Sequence, residues 1–235
     1  MSWAQGRLCA FDTETDSANP LDARIITASV LLLGGSQERE DRAWLLRAER
    51  PIPAEATAVH GVTTGHADEH GVDRRLAIEQ ITGTLAALMA VGTPVVAFNG
   101  SYDFTVLEHE AARVGIPGLA TLLGRPIGPV IDPHVIDKAV DRYRRGKRTL
   151  GATCDHYGVD LGSAHDSTAD ALGAARLAYM IARRYPEVGE MSLAQLHAAQ
   201  AGWRREQAES LQAYLRKSDG SAVVNGDWPV QGGAS

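Results

Sequence analysis

The chain has little cysteine and no long apolar run. Among its 235 residues only two are cysteines, Cys9 and Cys154, and both lie in apolar or helical surroundings that predict buried thiols rather than a disulfide or a metal site. No window approaches the roughly 18 consecutive apolar residues that a membrane span requires, and the N-terminus lacks the basic and apolar regions of a secretory signal. These absences predict a cytoplasmic protein.

An excess of positive charge is also missing. Lys and Arg number 23 against 29 Asp and Glu, which gives a formal net charge of −6. A chain with this balance does not attract polyanions over its whole surface, so a nucleic-acid function has to rest on a local site. The glycine-rich loops of dinucleotide-binding enzymes and P-loop NTPases are absent too, which argues against a redox enzyme linked to NAD.

The apolar pattern predicts an α/β fold. Runs at 7–11 and 24–33, with a weaker one at 41–46, indicate three strands joined by short links, hence an antiparallel meander. Short apolar runs at 94–98 and 130–132 then alternate with helical spacing. This order predicts a mixed sheet, with the meander followed by parallel strands, flanked by helices.

Helical periodicity covers much of the remaining chain. We expect a main domain, 1–187, followed by a C-terminal helix and tail, 188–235. The predicted helices cover 54–60, 76–89, 102–114, a segment from Pro133, 149–157, 167–184 and 192–217.

Two carboxylates follow the first predicted strand. Asp12 and Glu14 are two residues apart, so they share a face of an extended chain. Two such charges about 4 Å apart repel by about 4 kcal/mol at an effective dielectric of 20, and a shared cation would remove that cost. A polar turn after a strand is the open alternative.

Two more acids stand near predicted helix starts. Asp103 follows the strand at 94–98, and Asp170 closes the segment that begins at His165. Either acid could serve only as a helix cap or as a favourable charge near the helix N-terminus.

The three acidic segments, FDTET, NGSYDF and HDSTAD, occur in an order that resembles a known family. In this combination the chain resembles DEDDh 3′–5′ exonucleases of the DnaQ-like family in the ribonuclease H-like superfamily, over about residues 7–185. Asp12 and Glu14 match the first motif, Asp103 matches the second, and His165 with Asp170 matches the third. A histidine five residues before the last aspartate separates the His branch of this family from its Tyr branch. The segments 59–63 and 130–132 also match.

The resemblance implies a fold, a reaction and a cofactor. We expect a ribonuclease H-like sheet and release of 5′ nucleoside monophosphates from the 3′ end of DNA, single-stranded or frayed, in proofreading or repair. It further implies that His165 is the general base and that two Mg²⁺ or Mn²⁺ ions are held by Asp12, Glu14, Asp103 and Asp170. Such hard oxygen ligands suit these ions. Trimming of RNA by an exoribonuclease or oligoribonuclease is the alternative activity.

Substrate contacts and partners are further expectations. The basic stretch 142–148 precedes the helix that leads to the third motif, so we expect it to contact phosphates, with a solvated loop as the alternative. A polymerase or repair protein acting in trans is the expected partner, and a homodimer is a further alternative. The candidate substrate-binding residues are Phe11, Thr13, Asn99, Arg145 and Arg148.

The chain departs from the family pattern at two points. Phe98-Asn99 and Tyr102-Asp103 stand where the second motif usually has His-Asn and Phe-Asp. The segment 16–22 replaces the usual Thr-Gly turn after the first motif. We therefore expect the acids to be retained and the rim of the site to differ.

Overall fold

The structure is a computed structural model that describes residues 2–162 and 166–232. Within these ranges one mixed sheet has the strand order β3-β2-β1-β4-β5, in which β1–β3 are antiparallel neighbours and β4 and β5 run parallel to β1. The predicted mixed sheet is thereby confirmed. The strands are β1 (Arg7–Thr15), β2 (Ile25–Gly34), β3 (Glu40–Leu45), β4 (Val95–Val96) and β5 (Val130–Ile131).

The first strand is longer than the apolar run that predicted it. β1 continues through Thr15, and Asp12 and Glu14 stay paired with Ser29 and Thr27 of β2. Backbone groups make these ladder bonds, so a strand continues through acidic residues where its neighbour continues. The two acids are therefore held on a rigid strand rather than in a turn.

Each helix predicted from the sequence is present, and three short ones were missed. The missed helices have four to seven residues, a length at which apolar periodicity is a weak signal. The helices are α1 (Ala54–His60), α2 (Thr64–His70), α3 (Arg74–Ala90), α4 (Ser101–Arg113), α5 (Leu119–Leu123), α6 (Pro133–Val140), α7 (Leu150–Tyr157), α8 (Ser167–Arg184), α9 (Pro186–Gly189) and α10 (Leu193–Leu215), after a 3-10 turn at Trp3–Gln5.

Helices cover both faces of the sheet, and alternation along β1 decides which side chains meet them. Cys9 and Phe11 lie in an apolar cluster with side chains of α3 and α4, including Phe104. Ala10 points the other way and packs on Ala171 and Ala175 of α8. Because side chains two apart share a face, Asp12 and Glu14 continue the Ala10 side, toward the start of α8.

Both cysteines are buried and unbonded, as predicted. Burial raises the pKa of the Cys9 thiol to about 12 and that of Cys154 to about 11. Each thiol therefore stays protonated near neutral pH and acts as a small apolar side chain. In the part of the chain that the structure describes, no helix combines the length and the apolar character needed to cross a bilayer.

The C-terminal helix packs on the main body of the protein. Leu196 of α10 belongs to the same apolar cluster as Ile136 of α6 and Leu177 of α8. Gln200 is fully buried: its Oε1 accepts from the Asp132 N–H at 2.6 Å, and its Nε2 donates to the Val130 carbonyl at 2.9 Å. The helix thus completes the hydrogen bonding at the end of β5, while the domain boundary at residue 187 stays a prediction.

The chain after α10 folds back across the body. The Trp228 ring lies 4.8 Å from the His197 ring, and its Nε1 donates to Asp132 Oδ2 at 3.4 Å. Farther along, the Gln231 N–H donates to Thr105 Oγ1 of α4 at 2.8 Å. The extended tail therefore contacts Asp132, which follows β5, and Thr105 of helix α4.

Replacing Gln200 by Ala tests this attachment. Gln200→Ala leaves the Asp132 N–H and the Val130 carbonyl buried without partners, and each such group costs about 1–3 kcal/mol. We expect the free energy of unfolding to fall by about 2–4 kcal/mol in urea denaturation. Glu209→Ala, at an exposed site on the same helix, is the matched control and should stay within about 0.5 kcal/mol of the parent protein. Equal stability of the two variants would contradict this account.

Candidate active site

Three carboxylates meet where β1 passes the start of α8. Asp12 and Glu14 come from the strand and Asp170 from the first turn of the helix. One oxygen atom from each lies within 4.8 Å of the others. Such a convergence of oxygen donors can hold a divalent cation.

The position of Asp170 depends on how α8 begins. Asp166 is the N-cap residue, and its carboxylate accepts from the N–H groups of Thr168 at 2.8 Å and Ala169 at 3.2 Å. The Ser29 hydroxyl of β2 hydrogen-bonds to the hydroxyl of Ser167 at 2.8 Å. Asp166 therefore supplies the helix cap, so capping does not account for Asp170.

Asp103 reaches the same place along the open edge of β1. The Cys9 N–H donates to the Pro94 carbonyl beside β4, but β4 is too short to pair with the end of β1. Four residues farther along, the Thr13 N–H points to the same edge and donates to Asp103 Oδ1 at 3.1 Å. The Thr13 hydroxyl donates to that oxygen at 2.7 Å. The shortness of β4 thus leaves room for a carboxylate.

One cleft of about 390 Å³ contains all four acids. Asp103 lies outside the tight group of three but lines the same cleft. The lining residues are Asp12, Thr13, Glu14, Phe98, Asn99, Tyr102, Asp103, His134, Arg148, Thr149, Leu150 and Asp170.

The pKa values of these carboxyl groups record the cost of their proximity. Burial raises the pKa of Asp12 well above its ordinary value, and the charges of Asp103 and Glu14 raise it further. Burial, then the charges of Asp170 and Asp103, raises the pKa of Glu14 to about 7. Burial raises the pKa of Asp103 to about 7 against the opposing effect of the Thr13 hydrogen bonds. Because the donors are all carboxylate oxygens in mutual repulsion, the site fits Mg²⁺ or Mn²⁺.

Asp132 is a buried acid that the sequence analysis did not assign to the site. It follows β5, caps α6, and accepts from the N–H groups of Asn99 at 2.9 Å and Gly100 at 3.0 Å. At Gly100 a Cβ would lie 2.8 Å from the Ala97 Cβ, so the turn needs glycine. Asp132 thereby holds the turn that leads into α4 and Asp103. The Asp-Pro pair at a strand end was the available signal.

The predicted contacts at Phe11, Thr13 and Asn99 have different environments. Phe11 has no exposed surface and packs on Phe104 with ring centroids 5.8 Å apart, so its side chain cannot stack on a base. Thr13 is 7% exposed, and its hydroxyl is bonded to Asp103. Asn99 is exposed at the cleft with a φ of 58°, a left-handed conformation that asparagine tolerates.

The basic stretch divides into inward and outward arginines. Arg148 lines the cleft and is anchored by Asp137 and by the Asp141 carbonyl, the latter at 2.6 Å. Arg144 also binds the buried Asp137, at 2.9 Å. Arg145 is exposed and is not among the described residues that line the cleft. The stretch is therefore partly an internal ion-pair network.

His134 and Phe98 form an aromatic wall that was not predicted. Their ring centroids lie 5.2 Å apart, and both side chains line the cleft. Burial and the charge of Lys138 lower the pKa of His134 to about 3, so this imidazole is neutral over the ordinary pH range. The histidine that the sequence analysis did predict for the site, His165, lies outside the described residues, and its role stays a prediction.

The segment 16–22 is tied to the rim of the cleft. The Tyr102 hydroxyl donates to the Ser17 carbonyl and contacts the Thr15 hydroxyl. Asp16 is buried and accepts from the Arg24 N–H at 2.8 Å and from Arg50 Nε at 2.6 Å. The tyrosine that replaces phenylalanine in the second motif thus fastens the segment that replaces the Thr-Gly turn.

The sheet order and the flanking helices define the fold. The chain has a ribonuclease H-like α/β fold with a mixed sheet, as expected from the sequence. Among solved structures, E. coli exonuclease I in complex with a dT13 oligonucleotide is similar at 16% identity and a TM-score of 0.67, over 78% of this chain and 42% of that one. The zinc-bound complex of E. coli exonuclease I with single-stranded DNA is similar at 15% identity and a TM-score of 0.68. The match covers 88% of this chain and 45% of that one.

A moderately thermophilic exonuclease I from Methylocaldum szegediense is similar at 18% identity and a TM-score of 0.64, over 89% of this chain and 46% of that one. This chain therefore spans less than half the length of these similar proteins. No protein-family model matches it, and a search of curated proteins found no match. At these identities the similarity shows the fold.

Neutralising Asp12 tests the electrostatic cost of the site. A carboxyl group whose pKa is higher in the folded state stabilises the fold below its unfolded pKa, and that stability is lost as the pH rises through the folded pKa. Asp12→Asn should therefore stabilise the metal-free protein near about pH 8, by roughly 1–4 kcal/mol from the removed repulsion. The gain should shrink toward about pH 5, where the acids of the parent protein become protonated.

Thermal unfolding in EDTA and in Mn²⁺ measures both effects. The parent protein should gain stability from Mn²⁺, and Asp12→Asn should gain much less, because a ligand stabilises only the state that binds it. Asp68→Asn, at an exposed carboxylate of α2, controls for the change in net charge. Equal effects of Asp12→Asn and Asp68→Asn would contradict a shared cation site.

Proposed function

We propose that the chain is a metal-dependent 3′–5′ exonuclease that releases 5′ nucleoside monophosphates from the 3′ end of single-stranded or frayed DNA. The observation that carries the proposal is the convergence of Asp12, Glu14 and Asp170 within 4.8 Å in a cleft that also contains Asp103. The similar fold of exonuclease I supports the choice of a nuclease. Proofreading or repair, with a polymerase or repair protein in trans, is the proposed setting.

In this proposal the four carboxylates hold two Mg²⁺ or Mn²⁺ ions. When bound, such ions activate water as Lewis acids and neutralise charge on the phosphoryl and leaving oxygens. Thr13 orients Asp103 through two hydrogen bonds to Oδ1. Asp132 orients the same helix start through the backbone of Asn99 and Gly100.

The remaining groups act on the water and on the substrate. His165 is proposed to accept a proton from the attacking water. An ordinary imidazole has a pKa of about 6.5, so much of it is neutral at neutral pH and able to accept a proton. Arg148, held by Asp137, faces the cleft and is suited to bind a phosphate of the terminal nucleotide. Asn99 and the Phe98–His134 wall line the cleft and are proposed to contact the terminal base or sugar. Arg145 is left as a contact for a more distant phosphate.

A digestion assay tests the activity. The full chain with Mg²⁺ or Mn²⁺ should release mononucleotides from 3′ ends of single-stranded DNA faster than from blunt duplex DNA or RNA of matched sequence. EDTA should abolish release. Asp12→Ala should lower the rate by orders of magnitude, because loss of a ligand weakens binding of the metal ion whose positive charge stabilises the transition state.

Two outcomes decide between the alternatives. Faster digestion of RNA would favour the exoribonuclease or oligoribonuclease, and hydrolysis that persists without divalent metal would contradict the proposal. Asp68→Ala, away from the cleft, should keep the parent rate and serves as the control.

The role of His165 needs a separate test. His165→Ala should lower kcat by about 10²–10⁴-fold, as loss of a general base does, with little change in the Mn²⁺ affinity measured by calorimetry. The pH dependence of the residual rate should also lose its rise near neutrality. If metal affinity falls together with activity, His165 is a ligand or a structural residue. His109→Ala, on the far part of α4, is the matched control.

A further inference from the structure

A second cleft begins where the acidic cleft ends. It has a volume of about 520 Å³ and lies between α6, the segment that follows it, and α10. Arg148 lines both clefts, so the two are adjacent. The second cleft therefore lies between the acidic cleft and the C-terminal helix.

One side of this cleft is a face of α10. Trp203, Gln207, Leu211 and Tyr214 follow one another at intervals of four, four and three residues, and side chains at these spacings share a helix face. Trp203 is half-buried, whereas Tyr214 is 67% exposed and Leu211 is 43% exposed. An aromatic and apolar strip is thus left open to solvent at the cleft.

The opposite side is cationic. Lys138 and Arg142 line it together with Arg148, and within the described ranges neither Lys138 nor Arg142 has a carboxylate within 4.0 Å. Glu206 is the acidic residue among the described lining of the cleft. Burial, then the nearby charges of Arg204 and Arg148, lowers the pKa of Lys138. Positive charge is therefore concentrated here in a protein whose net charge is −6.

Stability alone does not account for this arrangement. Cations near the carboxyl end of α6 interact favourably with the helix dipole, by about 0.3–1 kcal/mol. That effect gives no reason for Tyr214 and Leu211 to stay exposed on the facing helix. Cations opposite aromatic faces are the combination by which proteins bind single-stranded nucleic acid, phosphates on one side and bases on the other.

We propose that the cleft between α6 and α10 binds the single-stranded DNA that leads to the 3′ end in the acidic cleft, with phosphates at Lys138 and Arg142 and bases stacked on Tyr214 and Trp203. This inference rests on the proposed nuclease function, which supplies the direction of the strand. It assigns to α10, outside the region of family resemblance, a role in holding the substrate. Arg148 lies at the junction of the two clefts.

Binding without catalysis tests the cleft directly. Fluorescence anisotropy of a labelled oligo-dT of about 20 nucleotides in EDTA reports binding of the full chain even if no hydrolysis occurs, and most of the salt dependence arises from phosphate contacts. Lys138→Gln with Arg142→Gln should weaken binding by about tenfold or more and reduce the slope of log K against log salt by about 1.4, for two lost phosphate contacts. Arg47→Gln with Arg183→Gln removes the same charge at exposed sites and should change affinity by less than about twofold.

A stacking variant keeps the test independent of the cations. Tyr214→Ala, at an exposed site that should not affect folding, is expected to weaken oligo-dT binding by about fivefold or more. With Mg²⁺, the cleft variants should lose more digestion rate on long strands than on short ones. A dinucleotide bound in the acidic cleft would not extend into the second cleft, so its digestion should be least affected. The same anisotropy measurements are made with RNA of matched sequence, so that its affinity can be compared with that of DNA.

The outcomes separate the two proposals. If both cleft variants bind oligo-dT as the control does while the parent protein still digests DNA, the cleft assignment is wrong and the nuclease proposal stands. If binding depends on the cleft but no DNA is hydrolysed with any divalent metal, the nuclease proposal fails and the cleft is a DNA-binding surface. Tighter binding of RNA at the same residues would overturn the assignment to DNA.

Discussion

Repulsion among carboxylates at the end of β1 is the constraint on which the rest of the site depends. Asp12 and Glu14 share one face of a strand, and Asp170 is brought against them by α8. In a low-dielectric cleft these charges cost more than they would in water, as the raised pKa values of Asp12 and Glu14 show. A fold selected for stability alone would not place them together. A divalent cation held by these carboxylates would relieve their repulsion, and the phosphodiester chemistry proposed for the site would use such an ion.

Rigid supports keep the acids in place despite that cost. Antiparallel pairing with β2 holds Asp12 and Glu14, and Asp166 and Ser29 fix the start of α8. On the other side, Asp132 joins β5, the turn before α4, and Gln200 of α10. The hydrogen bonds of Ser29, Asp132 and Gln200 are buried, and they fix the segments that carry the carboxylates.

Charge is distributed in two compartments rather than evenly. The acidic cleft accounts for four of the carboxylates, while Lys138, Arg142 and Arg148 collect along the adjoining cleft. Arg144 and Arg148 form ion pairs with the buried Asp137. Part of the basic stretch therefore takes part in an internal ion-pair network, and part lies toward the clefts. A negative net charge is therefore compatible with a local surface for a polyanion, because charge acts over about a Debye length of 8–10 Å.

The sequence alone determined the order of elements and the identity of the acids. Apolar periodicity predicts the meander and the long helices, because alternation and the 3.6-residue repeat are local properties of the chain. The motifs around Asp12, Glu14, Asp103 and Asp170 marked the site, and the cleft contains all four.

Only the tertiary structure decided which neighbours those residues would have. Several of these contacts join segments between 7 and about 90 residues apart. They are the burial of Phe11, the Thr13–Asp103 contact, the ion pair of Arg144 with Asp137 and the inward position of Asp132. No local pattern encodes such contacts, because they depend on sheet order and on how far each strand continues. The shortness of β4 is the clearest case: two paired residues leave the edge of β1 open, and Asp103 occupies it.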